Sequence, residues 1–571
     1  MRRLLKYLSV YKKECVFAPL FKMLEAVFEL TVPLVIAAMI DKGIGGASSA
    51  YVMKSFFVLI ALGALGLAVS ATAQYFAAKA ATGFSKGLRH DLFAHILSFG
   101  FPEIDNIGTS TMITRMTVDV NVLQNGVNMF LRLFLRSPFI VAGAMIMAFT
   151  IDVRSAMVFV SVIAALALSV YFIMHTNIPL LKKSQKKLDE ILLLVRENLS
   201  GARVIRAFTL EDEQIADFEA KNMELTKLQL LTGRISSLLN PLTYVLVNLG
   251  IAALISVGDR QVSNGVLTTG EVVALYNYMS QILLELIKFA NLIVTLNRTF
   301  ASAIRVNEIF DVSPVPSLGT EGFADKECPL IEFKNVSLRY HESADEAVSS
   351  ISFTVNEGET FGIIGGTGAG KSTVAHLLTG FYAPTGGQIL IGGTDISKLD
   401  SRILREKIGI VMQSAVMFEG TIRENIKWGN PSATDEEIME AVYAAVCDDV
   451  IKAKGGLDAP VEAGGKNLSG GQRQRLSIAR VLAGKPSVII LDDASSALDY
   501  MTDLKLRNNI ASLSYHPTVI IIAQRTVSVA GCDNILVLDD GEQVGLCTHS
   551  ELLSSCTVYK EIYSSQYGKD D

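Results

Sequence analysis

Apolar residues fill the first 310 positions in runs longer than a soluble core uses. Six stretches, near 15–40, 55–79, 127–150, 154–177, 235–257 and 271–296, are mostly apolar. At about 20 to 25 residues, each is long enough to cross a ~30 Å hydrocarbon layer as a helix, so six spans are predicted. The intervening segments alternate in length: 41–54, 151–153 and 258–270 are short, whereas 80–126 and 178–234 are long. The long ones read as mostly helical, so the spans should continue well beyond the membrane. The pattern then breaks at DVSPVPSLGTEGF, 311–323, whose Pro, Gly and Ser predict a linker. Beyond it, short aliphatic runs alternate with helical stretches, as in a soluble α/β domain. The expected plan is an all-α six-helix transmembrane domain over 1–310, a linker over 311–328 and an α/β domain over 329–571.

Composition agrees with this plan. Half of the 571 residues are hydrophobic and only 19% are charged, which fits immersion in a bilayer. The cations of the long segments include Lys86, Arg89, Arg115, Lys182, Lys183, Lys186, Lys187, Arg196, Arg203 and Arg206. By the positive-inside tendency they place those segments, both termini and the α/β domain in the cytoplasm of a multi-pass cell-membrane protein. The net charge of −6 and the lack of a basic block argue against a nucleic-acid partner. The six cysteines form no C-x-x-C pair and read as reduced. The basic, amphipathic start MRRLLKYLSVYKKE predicts an interfacial helix ahead of the first span.

Two stretches of the α/β part carry chemistry. TFGIIGGTGAGKST, 360–373, reads as strand, glycine-rich turn and helix start, with G-x-x-x-x-G-K-[ST] running from Gly365 to Ser372. Within Gly365, Gly366, Thr367, Gly368, Ala369 and Gly370, the glycines free backbone N–H groups to curl round phosphate oxygens. Lys371 would bridge the terminal phosphates, Ser372 would sit on Mg²⁺, and Thr373 follows on the same helix. Downstream, in VIILDDASSALD, 488–499, the run VIILD, 488–492, reads as a buried strand that delivers Asp492 to the metal at its C-terminal edge. A chance glycine turn would have neither the strand before it nor the acid after it.

Between these lies LSGGQRQRLSIAR, 468–480, and here the domain resembles the nucleotide-binding domain of an ATP-binding cassette (ABC) transporter. The whole chain resembles a half-size exporter of the multidrug or lipid type. The resemblance implies that Tyr340 stacks on adenine and that Gln413 senses Mg²⁺, joining Ser372 and Asp492 as a metal-site residue. It implies that Leu468, Ser469, Gly470, Gly471 and Gln472 face the ATP held by a second chain, and that Asp499 borders the dimer interface. It also implies short cytoplasmic helices, placed near 107–115 and 208–217, that couple ATP binding to an inward/outward switch.

Two positions depart from the family pattern. The family usually follows the metal aspartate with a glutamate as general base; here Asp493 stands there. It usually has a histidine after the strand corresponding to TVIIIA, 518–523; here Gln524 follows. Asp is shorter by one methylene, and Gln donates a hydrogen bond without carrying an imidazolium charge. Both catalytic positions of one nucleotide site are altered while LSGGQ is intact. The reading is a heterodimer in which this chain's own site turns over slowly and a partner with intact Glu and His supplies the competent one. A slow homodimer and an ATP-gated channel or regulatory subunit are the rival readings. Soluble ATPases of the same superfamily match only the second half.

Several charges fall inside predicted spans: Lys22, Glu25 and Glu29 in the first, Arg132 and Arg136 in the third, Glu285 and Lys288 in the sixth. Charges in lipid should face a cavity or one another. Glu25, Glu29 and Glu285 are therefore candidates for a cavity that takes a small amphipathic cargo, with internal ion pairing as the competing role.

Overall fold

A computed structural model describes residues 2–314, 319, 321–322, 329–340 and 345–567. Most of the expected linker lies outside the described residues. Two compact units result, one of Met1–Leu97 with Ser110–Val312, the other of Ser98–Thr109 with Ser313–Asp571.

The first unit is helical throughout. Among the described residues, six helices are long and apolar enough to cross a membrane: Arg3–Ile44, Ser49–Leu97, Thr109–Ile151, Val153–Ser200, Glu211–Ser263 and Thr269–Asp311. Their boundaries follow local chemistry. Asp152 ends the third helix and caps the fourth, accepting a 2.8 Å hydrogen bond from the Ser155 amide. The sixth opens with a capping box in which Thr268 and Glu271 satisfy each other's amides. Asp41, at the end of the first span, accepts from Thr268 Oγ1 at 2.6 Å and from the Gly270 amide at 2.8 Å. The predicted spans all lie inside these helices. The second and fourth run far past the hydrocarbon length, as the polar, helical segments following them imply.

Small residues bring the first two spans close, with Ala18, Ala77 and Ala80 fully buried. A larger core of Leu30, Ile140, Phe159, Leu254 and Tyr278 joins the first span to the last four. The Tyr278 hydroxyl donates to the Leu30 carbonyl at 2.7 Å, so the one polar atom of that buried ring is satisfied.

The second unit is α/β. Its main sheet runs, in order, Glu542–Cys547, Asn534–Asp539, Thr360–Gly365, Thr518–Ala523, Val488–Asp492 and Ile408–Val411. All pairs are parallel except the first. Thr518–Ala523 and Val488–Asp492 are buried at every position, as expected for strands covered on both faces. An antiparallel sheet of Val348–Val355, Ile331–Leu338, Gly386–Ile391 and Thr394–Asp395 packs through Phe333, Phe353 and Phe361.

Candidate ATP site

Three neighbouring strands of the main sheet end side by side, and the candidate chemistry sits at those ends. This is the edge at which open α/β sheets hold ligands. Thr360–Gly365 leads into the glycine loop, Val488–Asp492 ends in the paired aspartates, and Thr518–Ala523 ends at Gln524.

The loop tolerates no side chain at two points. A Cβ on Gly365 would lie 2.2 Å from the Leu538 carbonyl oxygen. Gly370, with φ of +89°, would place one 2.6 Å from the Ala347 carbonyl oxygen. Gly366 and Gly368 instead face open space, which leaves room for phosphate beside the loop. Ala369 and Thr373 are buried and anchor it; Thr367 is exposed at its tip. The Lys371 ammonium folds back onto the Gly365 and Gly366 carbonyls at 2.9 and 2.5 Å. Burial pushes its pKa down, against the pull of Asp493 and Asp492. Ser372 Oγ donates to Asp492 at 3.2 Å, and burial raises the Asp492 carboxyl pKa, with the Ser372 bond opposing. A cation placed between these two oxygens would relieve that cost.

Asp493 has left-handed backbone, φ 47°. Its amide donates to the Ile522 carbonyl at 2.9 Å. Its carboxylate Oδ2 accepts from Gln413 Nε2 at 3.2 Å and Gln524 Nε2 at 3.4 Å. The two departures from the family pattern thus touch each other, and Gln413 completes the group.

Comparison with known proteins places this geometry. Residues 15–286 match the ABC transporter transmembrane region family, and residues 348–496 match the ABC transporter family of ATP-binding domains. The uncharacterized ABC transporter ATP-binding protein YfiB of Bacillus subtilis (strain 168) is 34% identical over 578 aligned positions, covering 100% of this chain and 99% of that protein. The chain belongs to the ABC transporter family.

A second relative of this ABC transporter, Rv1273c of Mycobacterium tuberculosis (strain ATCC 25618 / H37Rv), is 30% identical over 98% of the chain and 97% of its own length. A bacterial Atm1-family ABC exporter solved with ATP bound shares the fold, with a TM-score of 0.80 at 24% identity over 99% of this chain and 100% of that one. The transporter is therefore multi-pass and ATP-binding, with the fold of an exporter half: among the described residues, six apolar helices followed by an α/β nucleotide-binding domain. Halves of this kind work as dimers.

The remaining predicted residues fall in two places. Ser469 caps the helix Gly470–Ala483: its amide donates to Gln472 Oε1 at 2.9 Å, and its Oγ accepts from the Gln472 amide at 3.3 Å. Leu468 is buried beneath, whereas Ser469 and Gly470 are exposed. A Cβ on Gly471 would lie 3.0 Å from the Ala497 carbonyl oxygen, so the helix start packs against the loop after Asp493. Exposed Asp499 caps the helix Tyr500–Ala511 through Thr502, whose hydrogen bonds hold its pKa below the usual carboxylate range.

Tyr340 lies beside the helix Lys371–Leu378. Its hydroxyl donates to Thr373 Oγ1 at 3.1 Å and lies 3.3 Å from His376 Nδ1, whose pKa burial pushes down. Sequence reasoning did not single out His376, because a histidine one turn past the phosphate loop carries no motif.

Two expected helix placements need correction. Within 107–115, Thr109–Thr114 is helical but opens the long third helix, and the separate short helix lies just before it at Phe101–Ile107; Pro102 starts that one and Gly108, at φ 80°, ends it. It is part of the compact unit that holds the ATP site. No separate helix covers 208–217. Ala202–Ala207 is helical, Thr209 turns left-handed at φ 55°, and Glu211, Asp212 and Glu213 open the next long helix. Glu285, a candidate for the cargo cavity, takes part in internal ion pairing. It is 3% exposed and engaged by Arg136 at 2.7 Å, Ser137 at 2.8 Å and Lys288 at 2.8 Å. Arg136 also holds Glu29 at 2.8 Å, and Lys22 holds Glu25 at 2.5 Å.

Proposed function

We propose that this chain is the slow-site half of a heterodimeric exporter that moves a lipophilic, amphipathic compound out across the cell membrane. The observation that carries this reading is the clamp on Asp493. Its short carboxylate is tied to two amides, Gln413 and Gln524, at the position where the family aims a longer glutamate at the attacking water. A base held about 1.5 Å short of its station loses most of its advantage. Gln524 supplies a neutral N–H in place of the family's histidine.

ATP binding itself is well provided for. The glycine loop and Lys371 grip the phosphates, Tyr340 offers a ring to adenine, and Ser372, Asp492 and Gln413 would hold Mg²⁺. Bound there, Mg²⁺ supplies charge neutralisation on the phosphate oxygens. Ser469 to Gln472, at a helix start with Ser469 and Gly470 exposed, would face the γ-phosphate bound by the partner, with Asp499 near the interface. ATP closes the two nucleotide domains, the spans turn outward, and hydrolysis at the partner's site resets them. The basic long segments put the nucleotide domain and both termini in the cytoplasm.

The test is the purified chain by itself. Alone, it should show little steady-state ATPase activity; a brisk homodimer would contradict the pairing.

Cargo selection by charge finds no support in the spans. Lys22, Arg136 and Lys288 balance Glu25, Glu29 and Glu285 within one network. Changing Glu25 and Glu29 to Gln should therefore slow export of cationic and neutral dyes alike, measured as uptake into inverted vesicles. Selective loss of the cationic dye would restore these acids to a cargo site.

A further inference from the structure

The ring offered to adenine is positioned by neighbours that belong to no nucleotide motif. Tyr340 is 36% exposed, so part of its side chain is open to a ligand. It meets Tyr382 in a T-shaped contact, centroids 4.9 Å apart at 86°. Tyr382 is 9% exposed, and its hydroxyl donates to the carboxylate of Asp105 at 2.5 Å. Asp105 sits on the short helix Phe101–Ile107, which the chain inserts between its second and third spans. The neighbouring Phe381 stacks on Phe101 of that helix, centroids 3.9 Å apart at 17°. His376 closes the group, 5.9 Å from Tyr382 by ring centroids and within reach of the Tyr340 hydroxyl. Asp105 and Tyr382 lie 277 positions apart in sequence, so only the fold brings them together.

We infer that Tyr382 and Asp105 are positioning residues for the adenine platform: the loop helix from the membrane half holds Tyr382, and Tyr382 holds the Tyr340 ring upright. A T-shaped aromatic contact fixes the ring's tilt, which the Thr373 bond alone leaves free to swing. A short, charge-assisted hydrogen bond from Asp105 fixes the ring that makes this contact. ATP affinity then depends on where the loop helix sits. By linkage, bound adenine biases that helix by the same factor. This rests on the reading of Tyr340 as the adenine platform.

The experiment uses the full chain in lipid nanodiscs and two ligands, ATP and inorganic tripolyphosphate, which has no base. Tyr340→Ala should weaken ATP and leave tripolyphosphate unchanged. Tyr382→Phe and Asp105→Ala should each weaken ATP about three- to tenfold, again with tripolyphosphate unchanged. Asp105→Asn, which keeps a hydrogen-bond acceptor, should recover most of the loss. If Tyr340→Ala weakens ATP while Asp105→Ala and Tyr382→Phe do not, the inference fails and the platform reading stands. Equal loss of both ligands in Asp105→Ala would mean general damage to the loop, and also overturns it. If Tyr340→Ala leaves ATP unchanged, the platform reading itself fails and takes the inference with it.

Discussion

Replacing Asp493 by Glu and Gln524 by His in one chain should raise ATP turnover at its own site about a hundredfold. The estimate rests on reach. One added methylene carries the carboxylate about 1.5 Å further toward the phosphate edge of the sheet. A displacement of about 1 Å in a reacting group is worth around a hundredfold in rate. Asp493→Glu alone should recover only part of this, because Gln413 and Gln524 would still bind the new carboxylate as they bind the old one. Removing the Gln524 amide releases one of its two ties, and the histidine adds a donor that can carry charge. The two changes should therefore be more than additive, as expected of residues in direct contact. The comparison is the phosphate-release rate of the single and double variants at saturating ATP. A double variant no faster than the parent would mean that something other than these two side chains sets the rate.

The second large effect lies in the spans. Glu285→Ala should destabilise the protein by about 3–5 kcal/mol, because it strips a buried cation of its main partner. Arg136 is only 6% exposed, and its two closest carboxylates are Glu285 and Glu29. The Glu29 side chain is 41% exposed, so it cannot seal Arg136 from its surroundings as Glu285 does. Replacing the pair together, Arg136→Met with Glu285→Met, should return most of the loss: no sealed charge is then left alone, and matched apolar volume packs well. Lys288, at 47% exposed, can turn outward without its partner. Thermal unfolding of the three proteins in one lipid preparation compares them. If Glu285→Ala stays within about 1 kcal/mol of the parent, the network is not what ties these spans together.

The fold was legible wherever one local pattern decides it. Apolar length gave the spans, and the turn at 151–153 is held by Asp152 through a cap that the sequence spells out. The phosphate loop and Asp492 were readable because strand, glycines and acid come at fixed spacing. What stayed hidden depends on contacts between distant residues. The π-helical turn Arg115–Asp119 puts Asp119 inside the helix bundle, where Arg115 and Arg305 both hold it; no local preference announces such a turn. The short helix Phe101–Ile107 lies ahead of the expected 107–115, although Pro102 and Glu103 mark its start in the sequence. The clamp on Asp493 joins three loops, so the sequence gives its members without their contact.

The nucleotide gripped by this chain's own Lys371 should outlast the one held by its partner. The direct measurement traps radiolabelled, photoactivatable ATP in the complex isolated from its native membrane through this chain, then follows the label on each subunit over time. Label crosslinked to this chain should persist as triphosphate long after that on its partner has become diphosphate. Loss of triphosphate from both at the same rate would contradict it.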